Sequence, residues 1–399
     1  METTLDQTPL VSSPVWLRSL HPAVGRAPSI AILSTYPPTQ CGLATFASAL
    51  YRGLKDVGVN RVGVIQMNDG AVYSLGTEVV GQWTSGSVQS RVDAARIINS
   101  FDVLLVQHEF GIFPGNDGSD VLQLLRDVHV PVLMTMHTVP LMPTQGQRNV
   151  FEALLRRTDA AVAMTEVAHQ RCLSVFDVEP DKVVTIPHGA TVPERTCLPA
   201  STDVSLLTWG LLGPGKGIEW VIDALAMLPE LRDRVRYTVA GETHPKIKAN
   251  DGEQYREMLK RRAELLGVSQ QITFDDAYRS LPSLLSLINE STCVVLPYDS
   301  DDQITSGVLV DAVSAGRPVI ATRFPHAVEL LSDGAGLVVP HRDSVSLAHA
   351  IKQVAIDEEL LKKMAAATWP LAAEHRWPAI AAKYVDLAVQ VLISEGVTR

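Results

Sequence analysis

Residues 298–322 read YDSDDQITSGVLVDAVSAGRPVIAT, and the fold turns on how this stretch is parsed. The apolar run at 292–296 just before it has the length and content of a buried strand. A polar, acidic loop follows. Ser306 and Gly307 then open a segment whose apolar residues recur at helical spacing, and Gly316-Arg317-Pro318 stops it. A second apolar run, at 318–321, reads as the next strand. A small Ser-Gly pair at a helix start leaves backbone N–H groups free and accessible, which suits a phosphate. Asp311 lies five residues after Ser306, beyond the first turn, yet within reach of a ligand lying along the helix. An ordinary strand–helix–strand unit with a solvated loop would carry the same pattern.

The same alternation extends in both directions. Strands are expected at 205–209, 236–240, 272–274, 292–296, 319–321 and 336–339, with helices at 218–227, 254–266, 281–288, 308–315 and 344–354. Upstream, strand-like runs fall at 29–34, 61–65, 103–106, 132–136, 160–163 and 183–186, and 43–54 has a helical period. Strands alternating with helices imply an α/β fold with parallel sheets covered on both faces. The breaker cluster IPHGATVP at 186–193, followed by a polar, aperiodic stretch to 203, divides the chain. The expected organisation is a mobile tail at 1–28 with an amphipathic fragment at 16–20, then domains at 29–193 and 194–377. A last helix at 378–394, within a segment 378–399, follows Trp-Pro breaks at 369–370 and 377–378. Two doubly wound domains in tandem put the C-terminal ends of both sheets near one interdomain cleft, where such folds bind ligands.

Composition narrows the function classes. A chain of 399 residues suits two domains. With 46% hydrophobic and 20% charged residues it is globular. The net charge of -10 argues against nucleic acid as the main partner. No apolar run is long enough to span a bilayer, and the first residues lack the pattern of a signal peptide. Four scattered cysteines without a Cys-x-x-Cys pair fit a cytoplasmic protein with neither disulfide nor zinc site.

A second glycine-rich turn, GLLGPGKG at 210–217, follows a strand and precedes a helix. Glycines permit the tight turn, and Lys216 can place a positive charge on a phosphate. It is not a Walker P-loop, because no Gly-Lys-Ser/Thr closes it, and it lacks the Gly-x-Gly-x-x-Gly spacing of a dinucleotide site.

The 210–217 loop and the 298–322 stretch together resemble the retaining nucleotide-sugar glycosyltransferases of GT-B fold, the large family containing sucrose synthase and the phosphatidylinositol mannosyltransferases. The resemblance covers nearly the whole chain: the Gly42 loop, His137 after a strand, the hinge at 186–187, the Lys216 loop, the Asp311 helix and the closing helix after Trp377. It implies two Rossmann-like domains, acceptor domain first and donor domain second, with the closing helix packed back on the first. The family signature E-x7-E reads Gln303…Asp311 here. Asp311 would hold the ribose hydroxyls, and Gln303 would meet the donor sugar as a neutral donor and acceptor. A phosphate-binding arginine of the family is replaced by Leu211, which leaves more of the phosphate recognition to Lys216; one charge-assisted hydrogen bond is worth roughly 1.5–3 kcal/mol.

The resemblance implies His137, Gln303 and Lys216 as catalytic residues. Gly42, Gly213, Lys216, Gly241, Asp275, Tyr298, Gln303, Ser306, Gly307, Val308 and Asp311 would form the donor site, Asp275 by closing a strand near the nucleobase. Tyr298 would line the pocket or pack under the loop. His108 and Glu109, at a strand end, would meet a carbohydrate or other hydroxyl acceptor, or form a plain surface loop. The expected reaction moves a hexose from a UDP- or GDP-linked donor, with no metal or other cofactor. A retaining disaccharide phosphorylase and a non-catalytic sugar-nucleotide binding protein are the alternatives, and a homo-oligomer is compatible with the sequence.

Overall fold

The computed structural model describes residues 27–68, 76–192, 198–199, 203–394 and 396. The expected tail, with its fragment at 16–20, and most of the polar stretch after 193 lie outside the described residues.

The chain builds two all-parallel sheets. The first holds β1 (Ile30–Ser34), β2 (Val62–Asn68), β3 (Val79–Thr84), β4 (Val103–His108), β5 (Val132–Met136), β6 (Ala160–Ala163) and β7 (Val183–Thr185). Their spatial order is β3-β2-β1-β4-β5-β6-β7. The second holds β8 (Val204–Trp209), β9 (Val235–Ala240), β10 (Ile272–Asp275), β11 (Cys293–Leu296), β12 (Val319–Thr322) and β13 (Gly336–Val339), in the order β10-β9-β8-β11-β12-β13. Each order reverses once, between β1 and β4 and between β8 and β11. Loops leaving the carboxyl ends on either side of a reversal run to opposite faces and open a crevice between them.

The central strands are buried along their whole length, as β1, β4 and β5 show. A parallel sheet has helices on both faces, so its strands read as continuous apolar runs without alternation. That is why they stood out in sequence. β3 was not expected. It is an edge strand, mostly half-exposed, and Gly81 and Gln82 interrupt its apolar run. A Cβ on Gly81 would come within 2.8 Å of the end of the Ile97 side chain on the covering helix, which would have to shift.

The break expected at Trp369-Pro370 does not occur. The helix Glu358–Glu374 runs through Pro370. Proline removes one N–H from the ladder, but Leu361, Met364, Ala365, Thr368 and Ala372 are buried on the inner face and hold the helix in place. The Thr368 hydroxyl donates to the Ala365 carbonyl at 2.7 Å in the same turn. Pro378, by contrast, falls in the first turn of the final helix, Trp377–Ser394, where no N–H partner is lost.

That final helix lies against Gly42–Asp56 and closes one face of the first sheet. Trp377, Ile380, Tyr384, Val385 and Leu392 share a core with Ile32, Phe46, Leu50 and Val64. A Cβ on Gly53 would meet the Trp377 carbonyl at 2.9 Å, so glycine permits the close approach. The Tyr384 hydroxyl hydrogen-bonds Thr135 Oγ1 at 3.0 Å inside the first domain.

A second seam joins the domains. Glu329 of the second domain accepts from the backbone N–H of Glu166 (2.9 Å) and Val167 (3.0 Å), the first residues of the helix Glu166–Val175. A carboxylate at a helix N-terminus meets two unpaired donors and the positive end of the dipole. Thr165 donates to the Ile304 carbonyl at 3.0 Å, and Arg171 pairs with Asp302. Ile304 itself is buried in the first domain's core. Replacing Glu329 by alanine removes both charge-assisted bonds. Glu329→Ala should cost about 1–2 kcal/mol of stability and enlarge the radius of gyration measured by small-angle scattering. Unchanged melting and scattering curves would show that the seam does not hold the domains.

Candidate active site

The crevice of the second domain is floored by two chain segments that touch. The turn at 210–217 has three glycines with positive φ, Gly210 (123°), Gly215 (88°) and Gly217 (68°). At Gly217 a Cβ would lie 1.8 Å from the Pro297 carbonyl oxygen, and at Gly241 one would lie 2.1 Å from that of Gly210. The glycines therefore let the ends of β8, β9 and β11 come together. Asp299 N–H donates to the Gly215 carbonyl at 2.9 Å, which ties this turn to the loop after β11. A Cβ on Gly210 would be 4.0 Å from Val308, so the turn lies against the start of the helix Gly307–Ser314. At Gly213 a Cβ would meet Ile247 at 2.2 Å; this glycine admits a neighbouring helix.

Ser306 caps that helix with its hydroxyl, accepting from Leu309 N at 3.2 Å. Its own N–H donates to His326 Nδ1 at 2.8 Å. The expected trio of donors therefore reduces to two: Ser306 is committed inward. Gly307 and Val308 have no acceptor among the described residues, as the first N–H groups of a helix require. Two adjacent free donors at the positive end of a helix form an anion seat.

Lys216 belongs to the turn that lies against this helix. Its ammonium lies 4.5 Å above the ring of Tyr298, a cation–π contact. Tyr298 is 4% exposed and stacks on Phe324 at 5.2 Å. Of the two readings of Tyr298, the structure has the packed one: the ring supports the lysine from below.

Asp311 is half-buried, and no hydrogen bond or ion pair holds its carboxylate among the described residues. Burial pushes its pKa up to about 7. It lies four residues after Gly307, on the same helix face. Gln303 is half-buried, and its side-chain N–H donates to the Thr305 carbonyl, which fixes the amide just before the helix. Asp275 is engaged by Arg279 and by the N–H of Ala277 (3.1 Å), so its side chain is committed locally. Its carbonyl accepts from Gly241 N at 2.8 Å, and Arg256 donates to the Gly241 carbonyl at 2.6 Å.

Across the cleft stand residues of the first domain. Gly42 opens the helix Gly42–Asp56, and a Cβ there would meet nothing within 4 Å. His137 follows β5. Its Nε2 is 2.8 Å from Gln107 Oε1, and Gln107 in turn donates to Thr135 Oγ1 at 3.4 Å, which meets the Tyr384 hydroxyl. An amide oxygen only accepts, so the His137 proton is on Nε2 and Nδ1 is left as an acceptor. Burial pushes its pKa down to about 3, aided by neighbouring imidazoles, so the ring is neutral.

His108 and Glu109 part company. His108 is fully buried among Phe110, Phe113 and Phe151, and neither ring nitrogen has a partner among the described residues. It closes β4 pointing into the core, so as arranged it does not reach an acceptor; this corrects the expectation. Alternation along the strand turns the next side chain the other way. Glu109 is half-buried at the cleft side, with its carboxylate accepting from Gly111 N at 2.6 Å. A Cβ at Gly111 would lie 3.0 Å from Glu109 and 3.7 Å from Lys246 Nζ of the other domain, so an acid and a base from the two lobes flank one glycine.

Several residues of the cleft were not singled out in sequence. Phe46 carries three rings edge-on: His137 at 4.7 Å, His188 at 4.9 Å and Trp377 at 5.0 Å. His188 belongs to the linker, and only the breaker pattern around it was legible. His326 and Glu329 gave no periodic or motif signal; their roles arise from contacts between distant segments. Among the described residues no cluster of His, Cys, Asp or Glu could hold a metal ion, and no helix is long and apolar enough to cross a membrane.

The segment that builds the anion seat is also the part with a sequence match. Residues 203–357 fit the profile of the glycosyl transferases group 1. The second domain is a group 1 glycosyltransferase domain. Curated relatives extend the likeness into the first domain. A D-inositol 3-phosphate glycosyltransferase of Corynebacterium diphtheriae is 27% identical over 289 residues, 65% of each chain, just under two thirds of the relative's length. A phosphatidyl-myo-inositol mannosyltransferase of Mycobacterium leprae is 26% identical over 321 residues, 78% of this chain and 79% of the other. In structure, the chain superposes on a glycosyltransferase of Rickettsia africae with a TM-score of 0.72 at 15% identity, covering 92% of this chain and 99% of that one. The Anabaena protein HepE, solved with UDP and glucose, gives 0.72 at 15% identity, covering 91% and 100%. The two-domain arrangement is thus the GT-B fold.

Asp311 and the imidazoles titrate with opposite consequences. Asp311 is raised from 3.8 to about 7, so its contribution to stability is present at low pH and lost as pH rises toward 7. His137, lowered from 6.5 to about 3, costs stability as pH falls below 6.5. In Asp311→Asn the first effect disappears. Its melting temperature relative to wild type should climb between pH 4 and pH 7 and level off above, as measured by calorimetry. A difference that does not vary with pH would show that the carboxylate is not desolvated.

Proposed function

We propose that this glycosyltransferase moves a hexose from a UDP- or GDP-linked donor to a hydroxyl acceptor with retention at the anomeric carbon. The observation that carries the reading is the pair of N–H groups at Gly307 and Val308 with no acceptor among the described residues, next to the turn that holds Lys216 and in line with Asp311, which has no partner among those residues either. A nucleoside diphosphate has matching features: anionic phosphates for the helix tip and lysine, and ribose hydroxyls for the carboxylate. The relatives' names, an inositol phosphate glycosyltransferase and a mannosyltransferase, and the UDP held by HepE support the same donor class.

In this reading the diphosphate is the leaving group. As the anomeric bond breaks, negative charge grows on the phosphate, and the fixed dipoles of the helix tip and the Lys216 ammonium stabilise it without reorganising. Attack from the same face, with the departing phosphate taking the acceptor's proton, requires no carboxylate nucleophile. The carboxylate on this helix, Asp311, is taken up by the ribose in this reading. His137, neutral and oriented by Gln107, offers Nδ1 to a sugar hydroxyl. Gln303 holds its amide toward the same space. The half-buried Glu109 and the exposed Lys246 at the rim face an acceptor entering between the lobes, and closure about the linker would exclude water as a competing acceptor.

The test is to supply UDP-glucose, GDP-mannose and related donors with a panel of sugars, inositols and inositol phosphates, following products by NMR. Transfer with the donor's own anomeric configuration is expected. Lys216→Ala should lower kcat/KM at least tenfold, about 1.4 kcal/mol. His137→Ala should lower kcat more than it weakens nucleotide binding. Phosphate-dependent cleavage of a disaccharide, or tight nucleotide binding without any turnover, would overturn the proposal.

A further inference from the structure

The linker residue His188 approaches the helix tip more closely than any expectation from sequence suggested. A Cβ built on Gly307 would lie 2.9 Å from His188 Nε2 and 3.0 Å from its Cε1. The imidazole edge therefore covers the Cα of the residue whose N–H is free. His188 Nδ1 is 2.7 Å from the Gly189 carbonyl oxygen. A carbonyl only accepts, so Nδ1 carries the proton and Nε2 presents its lone pair toward the tip. No hydrogen bond occupies Nε2 among the described residues. The ring cannot turn away easily, since Phe46 packs edge-on at 4.9 Å and Trp377 lies 6.0 Å off.

The charges around this ring are unbalanced in an informative way. Imidazoles act on it from three packed elements: His137 after β5, His326 in the helix Pro325–Leu330, and His375 at the end of Glu358–Glu374. Phe46 and Trp377 carry no charge. Asp311 lies one turn further along the helix of Gly307, and Lys216 lies in the turn that packs against that helix. Burial keeps His188 neutral, its pKa down at about 4. A diphosphate at the tip would bring two or more negative charges against a single lysine of the turn.

We infer that His188 is a ligand-binding residue of the donor site, which takes a proton from solvent as the diphosphate arrives and donates it, as Nε2–H, in a hydrogen bond to a phosphate oxygen. This deepens the function proposed above and rests on it. The linker would then do more than connect the lobes: it would supply the second positive charge of the site and couple phosphate binding to the position of the first domain through Phe46. Gly307 is glycine, in this account, because the imidazole needs the space a Cβ would fill.

The experiment is calorimetric titration of UDP, GDP and ADP, and their monophosphates, into the full chain at pH 7 in buffers of differing ionisation enthalpy. This counts protons exchanged on binding. The wild-type protein should take up about one proton more per diphosphate than His188→Gln, because one imidazole is charged. His188→Gln should bind the diphosphates about tenfold more weakly, the loss of one charge-assisted hydrogen bond, and the monophosphates with a smaller loss. If the variant does not fold, ring-nitrogen NMR on the wild type decides. Addition of UDP or GDP should convert the His188 signals from the neutral Nδ1–H form to imidazolium. Equal proton uptake and affinity in His188→Gln, or an imidazole still neutral with diphosphate bound, overturns the inference alone. Failure of every nucleoside diphosphate to bind the wild type overturns the donor-site reading as well.

Discussion

Two backbone N–H groups with no acceptor among the described residues, those of Gly307 and Val308, set the terms for the rest of this molecule. A helix start always has such orphans, and most proteins satisfy them with a cap or with water. Here the cap is made and stops short: Ser306 covers Leu309, and His326 covers Ser306. The remaining two donors open into a crevice that the strand order has already placed at the end of β8 and β11. Everything nearby respects that opening. Gly210, Gly217 and Gly241 draw the turns together without side chains in the way, and Tyr298 supports Lys216 at the edge.

The crevice needs a second wall, which the first domain provides. Its position depends on contacts that run between lobes: Glu329 on the helix Glu166–Val175, Ile304 in the first core, and the last helix folded back over the first sheet. Phe46 is the meeting point, with His137, His188 and Trp377 on its edges. The imidazoles here are held neutral by burial, while Asp311 is held near its titration point. A desolvated carboxylate and uncharged imidazoles lining one cleft suit a ligand that bears hydroxyls and phosphates.

The fold was legible because parallel strands are apolar on both faces and announce themselves without an alignment; β5, β6 and β13 fall where the runs at 132–136, 160–163 and 336–339 placed them. The edge strand β3 was not, because a half-exposed strand with Gly81 and Gln82 has no continuous run. Pro370 misled for the opposite reason: a local rule was outweighed by the buried inner face of its helix. In the site, the glycine turn and the helix tip could be read from residue type and spacing. His108 could not be told from Glu109, since a strand end gives no sign of which neighbour faces inward. His188, Glu329 and His326 act through contacts between segments far apart in the chain, and local pattern holds no trace of them.

The central claim is that the tip of the helix Gly307–Ser314 is where the donor's phosphates bind. A crystal structure of the chain with UDP or GDP tests this most directly. The account predicts the diphosphate within hydrogen-bond distance of the Gly307 and Val308 N–H groups and of Lys216, with the ribose hydroxyls on Asp311. A nucleotide bound elsewhere, with that tip left open to solvent, would contradict it.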